Sequence, residues 1–200
     1  MKRIISVVLL VCMLFSLASC NAGATEAKKV VDKLMVALQT YDINKIASCV
    51  EDLPDNSGTA YIHDIYTEDY YKDLYAAANE NLSYQIASAS AKEVVLKVQM
   101  PDLYALYQKV FASVMSQAMA NEDAQKYILD EKTDAHLLVI ALMINDIKTN
   151  GIETVEQEIK LSVDKFNDTY KIKTDEQLKL LLTDKLSLIQ VSASAEQVEG

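Results

Sequence analysis

The feature that most limits the fold is an apolar run from Ile4 to Leu17, broken only by Ser6 and Ser16. Lys2 and Arg3 precede it, and the small residues Ala18 and Ser19 follow it, just ahead of Cys20. A membrane-spanning helix needs about 20 apolar residues, so this run is too short to be one. Positive charge, apolar stretch and small residues, in that order, mark an export signal that the mature protein loses. With residues 1–19 removed, 181 remain, which suits one domain with a sizeable core. Cys12 leaves with the signal and Cys20 sits at the new N-terminus, so Cys49 is the one thiol within the domain. An exported domain with a single internal cysteine has no disulfide framework and must rest on its apolar core.

The four residues Leu17-Ala18-Ser19-Cys20 resemble the lipobox of bacterial lipoproteins: an aliphatic residue, two small residues and a cysteine. The resemblance implies diacylglycerol in thioether linkage on the Cys20 sulfur and signal cleavage between Ser19 and Cys20. It also implies a lipid anchor in the bacterial cell membrane, with the domain on the extracytoplasmic face. The partner expected at that end is the bilayer itself, through lipidated Cys20. The formal charge of -10 becomes -12 once Lys2 and Arg3 are gone. Such a surface repels phosphate backbones, so nucleic acid is not an expected partner.

Residues 20–25 read as the lipidated cysteine and a short tether, 26–190 as one domain and 191–200 as a flexible tail. Val30, Val31, Leu34, Met35 and Leu38 give a helix over about 26–40 its apolar face. Asp42 is placed to cap a second helix carrying Ile43, Ile46, Ala47 and Val50. A third starts after Thr67, with the stripe Tyr70, Tyr71, Leu74, Tyr75 and Ala78. Leu82, Tyr84 and Ile86 then alternate with polar or small residues, and Leu96, Val98 and Met100 do the same after a turn near Ala91-Lys92-Glu93. That is a hairpin. Leu103 to Ala118 returns to helical spacing, in a helix that can run to Ile128, and Leu137 to Ile144 lies in another that begins near Thr133. Asn150-Gly151 is a left-handed terminator. From Val155 to Val163 the period is two again, and Asn167-Asp168 turns the chain into a strand over 169–173. Thr174-Asp175-Glu176-Gln177 matches a capping box with Thr174 as the cap, opening a last helix that buries Leu178, Leu181 and Leu182. The order predicts an α+β fold with an antiparallel sheet packed by helices.

The segments VVDKLMVALQTYDINKIASCV, LSYQI and EIKLSVDKFNDTYKI resemble those of nuclear-transport-factor-2-like domains. In particular the chain resembles the small lipoproteins of Gram-positive bacteria that carry such a domain. The resemblance spans about 26–100 and 153–185 and implies a cone-shaped sheet around a cavity, with residues 101–150 as an inserted helical pair. It carries over no catalytic residue.

Chemistry-bearing residues are few. His63 and His136 stand alone, outside any zinc-binding spacing, and Asp52, Asp55, Asp64, Glu68 and Asp69 do not follow a calcium-loop spacing. No serine lies in a nucleophile motif. No catalytic, cofactor or metal site is expected. Cys49, among apolar neighbours, is expected to be a shielded thiol. Tyr66, Tyr70, Tyr71 and Tyr84 belong to a tyrosine-rich stretch that either lines a pocket with hydroxyls or caps a core edge. The expected work is therefore binding or envelope interaction. The alternative is an enzyme using the cone for small-molecule acid/base chemistry, which calls for a buried carboxylate with a raised pKa. The helical pair at about 102–128 and 134–149 is the expected protein-contact or homodimer surface, because its second helix is apolar nearly all round.

Overall fold

The computed structural model describes residues 22–51, 69–128 and 135–183. The first helix, α1, spans 22–39. Ala27, Val31, Leu34, Met35 and Leu38 recur on its inner face, all essentially without exposure. It ends in a left-handed corner, with Tyr41 at φ 50. Asp42 N–H donates to Ala37 O at 2.8 Å and Tyr41 N–H to Leu38 O at 3.1 Å, which is a Schellman ending with tyrosine where glycine is usual. The Asp42 carboxylate then accepts from Lys45 N–H at 3.0 Å and caps α2, Ile43–Cys49. Two helices thus meet with no loop between them, as the sequence predicts.

The sheet has four antiparallel strands in the order β1 (Ser83–Ala89), β2 (Glu93–Pro101), β3 (Thr154–Phe166) and β4 (Thr169–Ile172). Register runs from Pro101 opposite Thr154 to Glu93 opposite Ser162 across the central pair. Val94, Leu96, Val98 and Met100 of β2 and Ile159, Leu161 and Val163 of β3 fill the buried face. The other face shows Lys97, Glu156, Glu158 and Lys160 to water. This is the in/out alternation of a sheet covered on one side. Asn167 and Asp168 take φ 46 and 64, so the β3–β4 hairpin turns through the two-residue loop that the sequence calls for. Residues after α2 add to this edge: Val50 bridges Ile172, and Glu51 accepts from Thr174 N–H at 2.8 Å and from its hydroxyl at 3.2 Å.

Three further helices build a layer beside the sheet. α3 (Asp69–Asn79) packs on α6 (Ala135–Asn150), and α6 on α4 (Leu103–Ala120). α5 (Glu122–Ile128) follows α4, and α7 (Glu176–Thr183) lies on β3. The whole is α+β, an antiparallel sheet packed by helices. Among the described residues no helix is long and apolar enough to cross a membrane.

Three local expectations are corrected. α1 is already helical at Ala22 rather than only from about 26, so residues 22–25 of the expected tether belong to the helix. A helix running through to Ile128 is interrupted at Asn121, whose backbone is extended (φ -142, ψ 117). Its side chain accepts from Asp123 N–H at 2.9 Å, the local competition by which asparagine stops one helix and starts the next. The last helix is capped by Asp175, which accepts from Gln177 and Leu178 N–H at 3.1 and 3.0 Å. Thr174 has turned its hydroxyl to Glu51 instead.

Candidate functional site

β2 and β3 leave the sheet side by side at Pro101 and Thr154, and their flanking residues make a cleft. Asp102 caps α4 by accepting from Ala105 N–H at 3.0 Å, while its own N–H donates to Glu153 O at 2.8 Å. α6 terminates at Asn150, and Gly151 takes the left-handed φ of 78 as predicted. Its N–H closes the last turn on Ile147 O at 2.9 Å. The start of α4 and the end of α6 are thereby held together, with Asn81 facing them from the start of the first hairpin. The space between is about 530 Å³ and open to solvent on one side.

Its floor is apolar, from Leu106 and Ile152, and its walls are polar. Lys109 Nζ lies 2.9 Å from Asp146 Oδ2, and Asn150 Nδ2 donates to Asp146 Oδ1 at 2.5 Å. The Asn150 hydrogen bond, with that from Lys109, holds the Asp146 carboxyl below the usual carboxylate range. Asp102, Asp146 and Glu153 outnumber the one lysine among the lining residues. Among the described residues the lining has no histidine, cysteine or hydroxyl side chain. The described lining offers hydrogen-bond acceptors, one ion pair and an apolar floor. Asp146 is shifted downward, opposite to the raised carboxylate that the acid/base alternative calls for. Among the described residues no group of three His, Cys, Asp or Glu side chains could hold a metal ion.

Of the tyrosines named as pocket lining, Tyr71 and Tyr84 lie away from this cleft. Tyr71 is buried in the seam between α3 and α6. Its hydroxyl shares a 2.5 Å hydrogen bond with His136 Nε2, and its ring lies 5.7 Å from the imidazole and 6.4 Å from the Tyr75 ring. Tyr84 sits half-buried under α1 and donates to Asp32 Oδ1 at 2.9 Å. Burial, then Asp32, pushes its pKa up to about 12. Both cap the edges of the core. Tyr66 lies outside the described residues, as do Ser19, Cys20, His63 and the acids Asp52, Asp55, Asp64 and Glu68. For Tyr70 only the helical backbone of α3 is described. Cys49 has no exposure, and burial pushes its thiol pKa up, against the smaller opposing pull of Lys33.

Sequence reasoning missed the cleft because its residues come from three separate stretches, at 81, 102–109 and 146–153. One signal was present: Asp146 and Asn150 stand i, i+4 just after the apolar run Leu137 to Ile144 of the same helix.

No family model matches the chain, and no curated protein matches it. Among solved structures it is similar to ycdA of Bacillus subtilis, described as a candidate lipoprotein, at 14% identity and a TM-score of 0.39. The likeness covers 72% of this chain and 43% of that one, so the chain spans less than half the length of that protein.

Proposed function

We propose that the chain is a membrane-anchored extracytoplasmic lipoprotein whose domain is a ligand-binding module, with the cleft between α4 and α6 as its site. The anchor rests on the lipobox at Leu17–Cys20. The binding role rests on the cleft's lining, which offers acceptors and an apolar floor. Its excess of carboxylates favours a small ligand with a protonated amine. The nuclear-transport-factor-2-like reading keeps its support in the sequence pattern. The α1–α2 pair and the antiparallel sheet agree with it, and α4 to α6 enter between β2 and β3.

Thermal unfolding of the soluble chain with a panel of small organic amines tests the binding role. Amines are expected to raise the melting temperature of the wild type and not that of Glu153→Gln or Asp146→Asn. An equal response to carboxylates of similar size ends it. For the anchor, Cys20→Ala is expected to abolish metabolic labelling with a fatty-acid probe. Labelling that persists refutes the lipobox reading.

A second reading concerns the helical pair. Tyr107, Phe111, Met115 and Met119 recur every four residues along α4. Phe111 is 44% exposed and Met119 83%, and the Tyr107 and Phe111 rings stack at 5.8 Å. An apolar stripe left in water favours contact between two copies of the domain. Sedimentation of the unlipidated chain is expected to show a dimer that Phe111→Ser dissociates, and a wild-type monomer at high concentration ends this reading.

A further inference from the structure

Where the lipid is attached fixes which end of the domain meets the membrane. α1 is already helical at residue 22, and the two covalent steps from Cys20 to Ala22 reach at most about 7 Å. The start of α1 is seated on the hairpin tips. A Cβ on Gly23 would lie 2.7 Å from the Ala91 Cβ and 3.2 Å from the Tyr170 hydroxyl, so the helix backbone lies directly against the β1–β2 turn and β4. Ala22, Gly23 and Glu26 share a recess there with Lys165, Asp168 and Tyr170. From this point α1 runs the length of the sheet, about 27 Å for its 18 residues. At its other end Gln39 donates to Leu82 O at 2.8 Å, beside the Asn81 wall of the cleft.

We infer that the hairpin-tip end, formed by the start of α1 and the turns at Ser90–Lys92 and Asn167–Asp168, rests on the bilayer surface, and that the cleft is displayed at the far end, facing away from it. This rests on lipidation of Cys20. The charges agree. At the tip end Glu26 pairs with Lys29 and Asp168 with Lys165, each at 2.7 Å, and Lys92 stands beside Glu93. Opposite charges balance there, in a chain that is strongly acidic as a whole. An anionic headgroup layer repels this end least. The cleft end carries Asp102, Asp146 and Glu153 against Lys109 and Lys148 and is the end that such a surface repels more. A lipoprotein on a long flexible linker samples all orientations. Here the chain is helical by the second residue after the anchor, and the close seat of Gly23 locks it to the sheet.

The experiment uses the full lipidated chain in phospholipid vesicles containing a headgroup-attached fluorescence quencher. A fluorophore is placed on Lys92→Cys or, at the cleft end, on Lys148→Cys. Both positions are exposed, and native Cys49 is buried. The probe at 92 is expected to be quenched several-fold more than the probe at 148. A flexible insert of about 15 residues after Cys20, spanning roughly 20 Å, is expected to erase that difference. Equal quenching at both positions in a protein that carries fatty acid overturns the orientation while leaving the anchor intact. Quenching at 92 that the insert leaves unchanged also overturns it. A chain that takes up no fatty acid removes the anchor, and the orientation with it.

Discussion

The sheet half and the helical layer solve the same problem differently. Against the sheet, Leu34, Met35, Ile46, Leu96 and Ile159 have no exposure at all. In the layer, Leu106, Val110 and Val114 of α4 keep 7–8% exposure, while Phe111, Met119 and Leu142 are 40% exposed or more. A sheet with helices on one side has a single apolar face, and each element can turn fully toward it. A helix apolar on several sides cannot, because its neighbours cover only part of its circumference. The first region specifies the fold. The second supplies surface, including both the cleft and the stripe on α4.

Four substitutions bear on that contrast, the one with the largest expected effect first. Leu34→Ala leaves a cavity in the fully packed half and is expected to cost about 3 kcal/mol in urea unfolding. Phe111→Ala is expected to cost under about 1 kcal/mol. Similar losses at the two sites would mean that the two regions form one equally packed core. Tyr84→Phe removes the hydrogen bond to Asp32 that ties β1 to α1 and is expected to cost about 1 kcal/mol. A neutral result would show that β1 is held by its ladder alone. The smallest effect is electrostatic. Asp146 has a lowered folded pKa, so it binds its proton more weakly in the folded state than in the unfolded state. Its contribution to stability is complete above the unfolded carboxylate pKa and is lost as pH falls through the folded value. Lys109→Met is expected to move the Asp146 titration upward in a carboxyl NMR experiment. No movement would leave Asn150, whose hydrogen bond is the larger cause, as its sole support. Salt should weaken the Lys109 pair, because the lysine is 69% exposed.

The strands and helices were legible because their signals are local. Two-residue alternation places Ile159, Leu161 and Val163 on one face whatever the neighbours are. Asp42, Gly151 and Asn167-Asp168 act through their own backbone preferences, and each does in the structure what its sequence context calls for. Local rules failed where a distant group made a better offer. Thr174 is a sound cap by pattern, yet Glu51, 123 residues away, takes its hydroxyl. The start of α1 carries small residues that read as a tether, and contact with Ala91 and Tyr170 holds Gly23 in the helix. The tyrosines were visible as a group in sequence but were divided by packing, Tyr71 to α6 and Tyr84 to α1.

By itself, then, the sequence determined the antiparallel α+β plan, the helix corners and turns, and the reliance on an apolar core around one shielded thiol. Periodicity and backbone chemistry act within a few residues and need no partner to be read. Tertiary structure alone decided the cleft, because Asn81, Asp102, Lys109, Asp146 and Glu153 become neighbours only when β2 and β3 pair and bring the ends of α4 and α6 together. It also decided that this cleft stands at the opposite end of α1 from Gly23. Spatial polarity of this kind comes from long-range packing, which has no periodic trace in the chain.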